Sequence, residues 1–253
     1  MIYVYAITRD AVTPGCEAVD QSRHFGAATV ADLAAVYTPV KAEEFSQEVI
    51  DRRAGDLEWL GAIGYRHQDV IANLTKSTAV IPLRAFTLFS SDEALRGYLT
   101  ENADVLRKVL ERLDGKQEWT LRVEFEPQKW SESLVTRVDS LRDLQQQIES
   151  AAPGKAFLLK KKLDDERKRA SAAAEKDVVA EIEQRVLDKL RCETVAESRE
   201  RRDGAFPQIN VLLNRDEEAL LLDLHAELTD RYDAEGVSLA LTGPWPPYTF
   251  AHA

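Results

Sequence analysis

Two hydrophobic periods alternate along the chain, and their changeovers divide it into strands and helices. Residues 2–7 (Ile2, Tyr3, Val4, Tyr5, Ala6, Ile7) are apolar throughout and mix aromatic with aliphatic side chains, which predicts a strand. A polar stretch through Pro14 and Gly15 to Gly26 follows, and residues 33–40 predict a second strand with Pro39 near its end. Phe45, Val49, Leu57, Leu60 and Ile63 then recur at helical intervals, with Gly61 and Gly64 marking the exit. A short helix is predicted over residues 65–74, with Val70 and Ile71 on its apolar side. Residues 80–89 read as two extended pieces broken at Pro82, Leu83 and Arg84. Ser90 and Glu93 form a capping box ahead of a helix whose stripe is Leu95, Leu99, Leu106, Val109 and Leu113. Asp114-Gly115 is a turn pair that ends it.

The second half repeats the alternation. Residues 119–125 place Leu121, Val123 and Phe125 against Arg122 and Glu124, which predicts a half-buried strand. Leu134, Val138, Leu141, Leu144 and Ile148 mark an amphipathic helix, broken by Pro153-Gly154. A long helix running from 166 to about 197 carries Val178, Ile182, Val186 and Leu190 at intervals of four. The apolar signal vanishes over residues 199–203, which predicts a surface loop. Residues 206–213 predict a strand, Asn214 and Glu217 a cap pair, and Leu221, Leu224, Leu228 and Tyr232 the next helix. Gly236 stands where a carboxyl-terminal glycine cap belongs, before a final strand at 237–241. This order predicts an α+β fold. Its first domain, residues 1–114, is built on a mixed α/β sheet. The second, residues 115–253, resembles a split βαβ or ferredoxin-like layout with helices inserted at about 150–203.

Composition narrows the classes of function. The chain has 253 residues, 33 basic and 44 acidic, for a net charge of −11. That surplus of acid opposes nucleic-acid affinity. The sequence contains no apolar run of membrane-spanning length, and residues 1–30 lack the zones of a signal peptide. Cys16 and Cys192 match no metal or redox spacing and read as free thiols of a cytoplasmic protein.

Candidate chemistry is sparse. His67 has Asp69 two residues on, but the two cannot share a helix face, and a surface or capping role fits it best. His225, between Leu224 and Leu228, reads as a partly buried, hydrogen-bonded helix residue. No histidine, cysteine or carboxylate cluster has zinc spacing, and neither glycine-rich phosphate loop occurs, so no metal and no cofactor is expected. The basic concentration at Lys155, Lys160, Lys161, Lys162, Arg167, Lys168 and Arg169 has two readings. It is a solvated helix with internal ion pairs, or a contact for an acidic partner.

The densest signal is residues 241–250, Leu-Thr-Gly-Pro-Trp-Pro-Pro-Tyr-Thr-Phe, where three prolines forbid a helix. An extended tail is expected, whose rings Trp245, Tyr248 and Phe250 either fold back to cover the sheet and close the core between domains or stay exposed as candidate partner contacts; both hold if Trp245 is buried and Tyr248 presented. With the opening Ile-Tyr-Val-Tyr-Ala-Ile, this tail resembles the signatures of the gas vesicle protein family GvpL/GvpF. Residues 79–89, 118–123 and 153–163 resemble further family segments in the same order. One departure stands out: Ala85-Phe86 occupies the place of a usual Phe-Gly pair, so glycine's freedom at positive φ is missing from that turn.

The resemblance implies two α+β domains, the second a modified ferredoxin-like one. It also implies a non-enzymatic accessory or minor structural protein, located in the cytoplasm with gas vesicles, that assists nucleation and assembly of a hydrophobic shell. The implied partners are the main shell protein and other accessory proteins, with neither nucleic acid nor membrane. Two other classes stay open on the residues alone. A ferredoxin-like ligand-binding regulatory module unrelated to vesicles would need a pocket of converging polar groups. An enzyme would need a clustered, strongly perturbed acid or base.

Overall fold

The computed structural model describes residues 1–197 and 206–252. The loop expected at 199–203 lies outside the described residues. Within them the chain is a mixed α/β protein with two antiparallel sheets, and it divides into two compact units. One comprises Met1–Glu118 with Pro244–Ala253, the other Trp119–Gly243. The sequence reading set its boundary at 114/115 and kept the tail with the second half.

The first unit is built on β1 (Ile2–Thr8), which is buried at every position. Such uninterrupted burial means that both faces of the strand are covered. β1 pairs antiparallel with β3 (Leu33–Pro39), β4 (Ile81–Pro82) and β5 (Leu88–Phe89), and β2 (Gly26–Val30) joins the far side of β3. The β2–β3 hairpin turns on Ala31-Asp32, with Ala31 in the left-handed region at φ 51°. No Asn-Gly pair announces this turn, which is why β2 is illegible in the sequence. Arg107 holds it from outside, its guanidinium 2.8 Å from the Asp32 carboxylate.

Helices cover this sheet. α1 (Ala42–Phe45) and α2 (Gln47–Arg53) lead to α3 (Leu57–Thr75), which starts where the Asp56 carboxylate accepts the Trp59 amide at 3.0 Å. Gly61 and Gly64 lie inside α3 and end nothing. Each costs roughly 1 kcal/mol of helix propensity. Burial of Ile63, His67, Val70, Ile71 and Leu74 on one stripe outweighs that cost. α4 (Asp92–Glu101) and α5 (Ala103–Leu113) replace the single helix expected here, with their junction at Asn102. The cap sits one residue later than the capping box suggested: Ser91 Oγ accepts the Ala94 amide at 3.1 Å.

The second unit holds β6 (Lys116–Phe125), α6 (Pro127–Arg137), α7 (Asp139–Glu149), α8 (Pro153–Lys189), β7 (Cys192–Glu197), β8 (Gln208–Asn214), α9 (Glu218–Asp233) and β9 (Val237–Trp245). Its sheet order is β7-β8-β6-β9. Pro153 opens α8 at the first helical position, where its missing amide costs nothing. The helix ends at Lys189, short of the expected 197, because residues 192–197 pair with β8 from Cys192–Leu213 to Glu197–Gln208. Asn214 and Glu217 meet side chain to side chain at 2.8 Å, and Glu217 turns inward to accept the Arg191 amide at 3.1 Å. The core joins Val123, Trp130, Leu141, Val178, Ile182, Val211, Leu228 and Tyr232.

Gly236 is required twice over. It sits at φ 75°, and a Cβ there would lie 2.5 Å from Lys129 Cβ and 2.7 Å from the Trp130 amide nitrogen. Its carbonyl accepts the Glu126 amide at 2.8 Å, which fixes the entry to α6.

Candidate partner-contact surfaces

The proline-aromatic tail is anchored rather than presented. After β9 the chain bends, the Tyr248 amide donating to the Pro246 carbonyl at 2.8 Å, so the tail is not the simple extended run that three prolines suggest. Pro246, Pro247 and Phe250 are buried. Glu118 accepts both the amide (3.0 Å) and the hydroxyl (2.7 Å) of Thr249. Arg112 lies over the Phe250 ring at 5.9 Å. Tyr248 packs on the core of the first unit and donates to Gln68 Oε1 at 2.7 Å, and burial raises its phenol pKa. Trp245 is the exposed ring, at 46%. The arrangement with Trp245 inside and Tyr248 outside is therefore reversed: Tyr248 is the ring drawn inward, onto Gln68 of the sheet-covering helix α3.

Beneath the tail lies an aromatic cluster around His67, which is 2% exposed and so neither a surface nor a capping residue. Its Nδ1 accepts the Tyr3 hydroxyl proton at 2.9 Å, and its Nε2–H donates to the Leu83 carbonyl at 2.9 Å. The Tyr3 oxygen in turn accepts the Phe86 amide at 3.0 Å. Burial lowers the His67 pKa and raises that of Tyr3, so both groups are neutral. Every polar atom of the imidazole is engaged in holding the 83–86 turn to β1, and none is left for catalysis. Tyr5 acts likewise, donating to Thr38 Oγ1 and accepting the Val19 amide, both at 3.0 Å, with its pKa pushed up to about 12.

The departure at Ala85-Phe86 proves instructive. Phe86 adopts φ 65°, the left-handed conformation that glycine takes without strain. Its ring packs 5.3 Å from Trp59 and 6.2 Å from Tyr3, and these contacts hold the strained turn. Around it, Leu83 donates to the Tyr5 carbonyl and Val4 to the Thr87 carbonyl, both at 2.9 Å. The sheet ladder thus continues across the gap between β4 and β5.

Lys160, Lys161 and Lys162 are exposed on α8. The acids beyond them do not reach back: Asp164 pairs with Arg167 and Glu166 with Arg169. Beside the lysines stand Phe157 and Leu158, 71% and 67% exposed, on the side opposite the packed Leu159 and Leu163. Sequence reasoning missed these two apolar side chains of the patch. The available signal was the run Phe157-Leu158-Leu159, since three consecutive helix positions cannot share one face.

Open clefts also occur among the described residues. One, of about 620 Å³, lies in the first unit between Asp20, Phe45, Arg53, Trp59 and Arg66, with Arg53 4.4 Å over the Trp59 ring. Another, of about 290 Å³, lies in the second unit between α6 and α8, lined by Phe125, Trp130, Leu134, Arg167 and Ser171. Cys16 and Cys192 are free, and burial pushes both thiols up to about 11, away from reactive thiolate. His225 Nε2–H donates to the Leu239 carbonyl at 3.0 Å, the partly buried helix role its neighbours suggest. Among the described residues no helix is long and apolar enough to cross a membrane.

Comparison with known proteins places this architecture. The family model described as gas vesicle synthesis protein GvpL/GvpF matches residues 1–252. The chain belongs to the GvpL/GvpF family. Among its relatives, gas vesicle protein L of Streptomyces sp. (strain CB03234) is 32% identical over 266 aligned residues, covering 98% of this chain and 92% of that one. Gas vesicle protein L of Haloferax mediterranei is 30% identical over 196 residues, 74% of this chain and 60% of the relative. The fold is similar to crystal structures of GvpF from Microcystis aeruginosa and from Anabaena sp. PCC7120. The first has a TM-score of 0.68 at 13% identity, covering 100% of this chain and 99% of that one. The second has a TM-score of 0.67 at 14% identity, covering 100% and 96%. GvpL/GvpF membership therefore rests on the whole chain, and the likeness to the GvpF structures adds the fold.

Proposed function

We propose that this GvpL/GvpF protein is a non-enzymatic accessory or minor structural component of gas vesicles. It acts in the cytoplasm, at the vesicle, by assisting nucleation and assembly of the hydrophobic shell through protein–protein contacts. Its partners on this reading are the main shell protein and sibling accessory proteins. The observation that carries the proposal is the family match across residues 1–252. Shell subunits with large apolar faces are prone to misassociate before they meet, and a protein that holds them in place keeps them on the assembly path.

The second unit is read as a modified ferredoxin-like domain. Its strands and helices follow a β-α-β-β-α-β order, with α6 and α7 placed ahead of α8, and the sheet order β7-β8-β6-β9 supports that reading. The contact residues proposed are Lys160, Lys161 and Lys162 with Phe157 and Leu158 on α8 and, separately, Trp245 beside the tail. Tyr248 and Phe250 serve by fixing the tail. The regulatory and enzymatic alternatives are not favoured, since His67 is wholly engaged in structural hydrogen bonds.

The experiment is deletion of the gene in a vesicle-forming strain without a paralogue, scored by electron microscopy and complemented in trans. Loss or malformation of vesicles, restored by the parent gene, is expected. Normal vesicles in the deletion strain would reject the reading.

A further inference from the structure

α8 begins in a way that works against its own stability. Residues 153–163 hold Lys155, Lys160, Lys161 and Lys162 and no acid. The amino end of a helix carries partial positive charge over its first turn, so Lys155 there is unfavourable, and Lys160, Lys161 and Lys162 follow as adjacent like charges. The first turn contains no acidic residue to offset them. At 100° per residue the exposed side chains fall around the helix as Lys160, Phe157, Lys161, Leu158, Lys162, Lys155, an alternation of cations with two large apolar groups. No ion pair occupies these lysines among the described residues.

The same unit carries a face of opposite charge and similar grain. On α9, Leu220 and Leu222 are 54% and 46% exposed. Between them around the helix lie Glu227, Asp223, Asp230 and Ala226, all exposed. The acids follow at i, i+4 and i+7, so they form one stripe. The nearby cation Arg231 is turned over the Tyr232 ring, 5.7 Å from its centroid. Each face thus joins two apolar side chains with charge: on α8 they alternate with cations, and on α9 they flank an acidic stripe.

We propose that the α8 face of one molecule docks on the α9 face of a second copy of this chain. Phe157 and Leu158 meet Leu220 and Leu222, and Lys160, Lys161 and Lys162 meet Asp223, Glu227 and Asp230. This gives the contact surface named above a specific occupant. It does not depend on the role in vesicles, because purified protein suffices to test it. The two faces differ, so the contact is heterologous. The pair keeps one unused face of each kind, and association proceeds head to tail into a ring or an open chain. Charged groups make up much of both faces, so the contact is salt-sensitive and weakens at high ionic strength.

The test is sedimentation velocity on the full chain across a concentration series at roughly 0.1 M and about 1 M salt, where the screening length falls from ~10 Å to ~3 Å. Two charge-reversed variants are compared with the parent. The first carries Lys160→Glu, Lys161→Glu and Lys162→Glu; the second carries Asp223→Lys, Glu227→Lys and Asp230→Lys. All six sites are exposed, and circular dichroism checks that each variant is folded. The parent should associate with rising concentration at low salt and dissociate at high salt, while each variant alone stays monomeric. An equimolar mixture of the two variants should associate again, since each reversed face then meets its complement. A parent that stays monomeric throughout the low-salt series overturns the proposal. So does a mixture that fails to associate. If the lysine-reversed variant loses capture of the main shell protein while the parent never self-associates, the α8 face serves that other partner. In that outcome the functional reading stands and this inference falls.

Discussion

The carboxylate of Glu118, 4% exposed, accepts two hydrogen bonds from Thr249, a residue 131 positions further along the chain. Hydrogen bonds to a charged acceptor are the stronger kind, at about 1.5–3 kcal/mol each. Thr249→Val keeps the shape and the amide bond but removes the hydroxyl. It should lower unfolding stability by about 1–2 kcal/mol, read as a shift in the urea midpoint with an unchanged slope. A midpoint equal to the parent's would show that the Thr249 hydroxyl contributes nothing to securing the tail.

His67 sets a pH dependence. Burial holds its folded pKa below the ordinary value, so the folded state binds fewer protons than the unfolded one as pH falls. Its contribution to stability is complete above the unfolded pKa of about 6.5 and declines as pH drops from there toward the folded pKa. The carboxylates held low, Asp32, Asp56 and Glu217, lose their contributions only further down, below about 4.5. Stability measured between pH 7.5 and 5 should therefore fall on the acid side. His67→Gln, which can still donate and accept, should flatten that slope. An identical slope in the variant would remove His67 as its source.

Phe86 inverts the usual order of substitutions. At φ 65° an alanine keeps the left-handed strain while losing the ring, whereas glycine loses the ring and the strain together. Phe86→Gly should be more stable than Phe86→Ala by about 1 kcal/mol, the reverse of what a helix or strand interior gives. Phe86→Val, β-branched at positive φ, should be the least stable of the three. Thermal unfolding of the set gives the order directly.

Gly236→Ala meets two penalties at once. The new Cβ would stand 2.7 Å from the backbone nitrogen of Trp130, and φ 75° disfavours any side chain. Backbone cannot yield as a flexible side chain does, so a loss of about 3 kcal/mol or more is expected. Gly115, also at positive φ (70°) but with nothing within 4 Å, is the control. Gly115→Ala should cost only the conformational part, roughly 1 kcal/mol. Equal losses at the two sites would show that the close approach to Trp130 contributes nothing.

The sequence by itself determined the elements whose burial follows a simple period. β1 is apolar from Ile2 to Ile7, and the stripe Val178, Ile182, Val186 names the buried side of α8, continued by Leu190 just past its end, without any knowledge of its neighbours. Family membership was legible too, because the motifs that carry it are local strings of residues. Elements that exist only through a distant partner were not legible. β7 reads as a helix continuation until β8 is placed beside it, and β2 depends on a tight turn at Ala31-Asp32 that lacks glycine. The same division holds at the candidate surfaces. Charge along Lys160–Lys162 is visible in the string, yet exposure of Phe157, Leu158 and Trp245 is not. Burial of Tyr248 and Phe250 was decided by Gln68, Arg112 and the fold that brings them together. A period reports which way a side chain points within its own element. Whether another surface waits there is settled only by packing at long sequence separation.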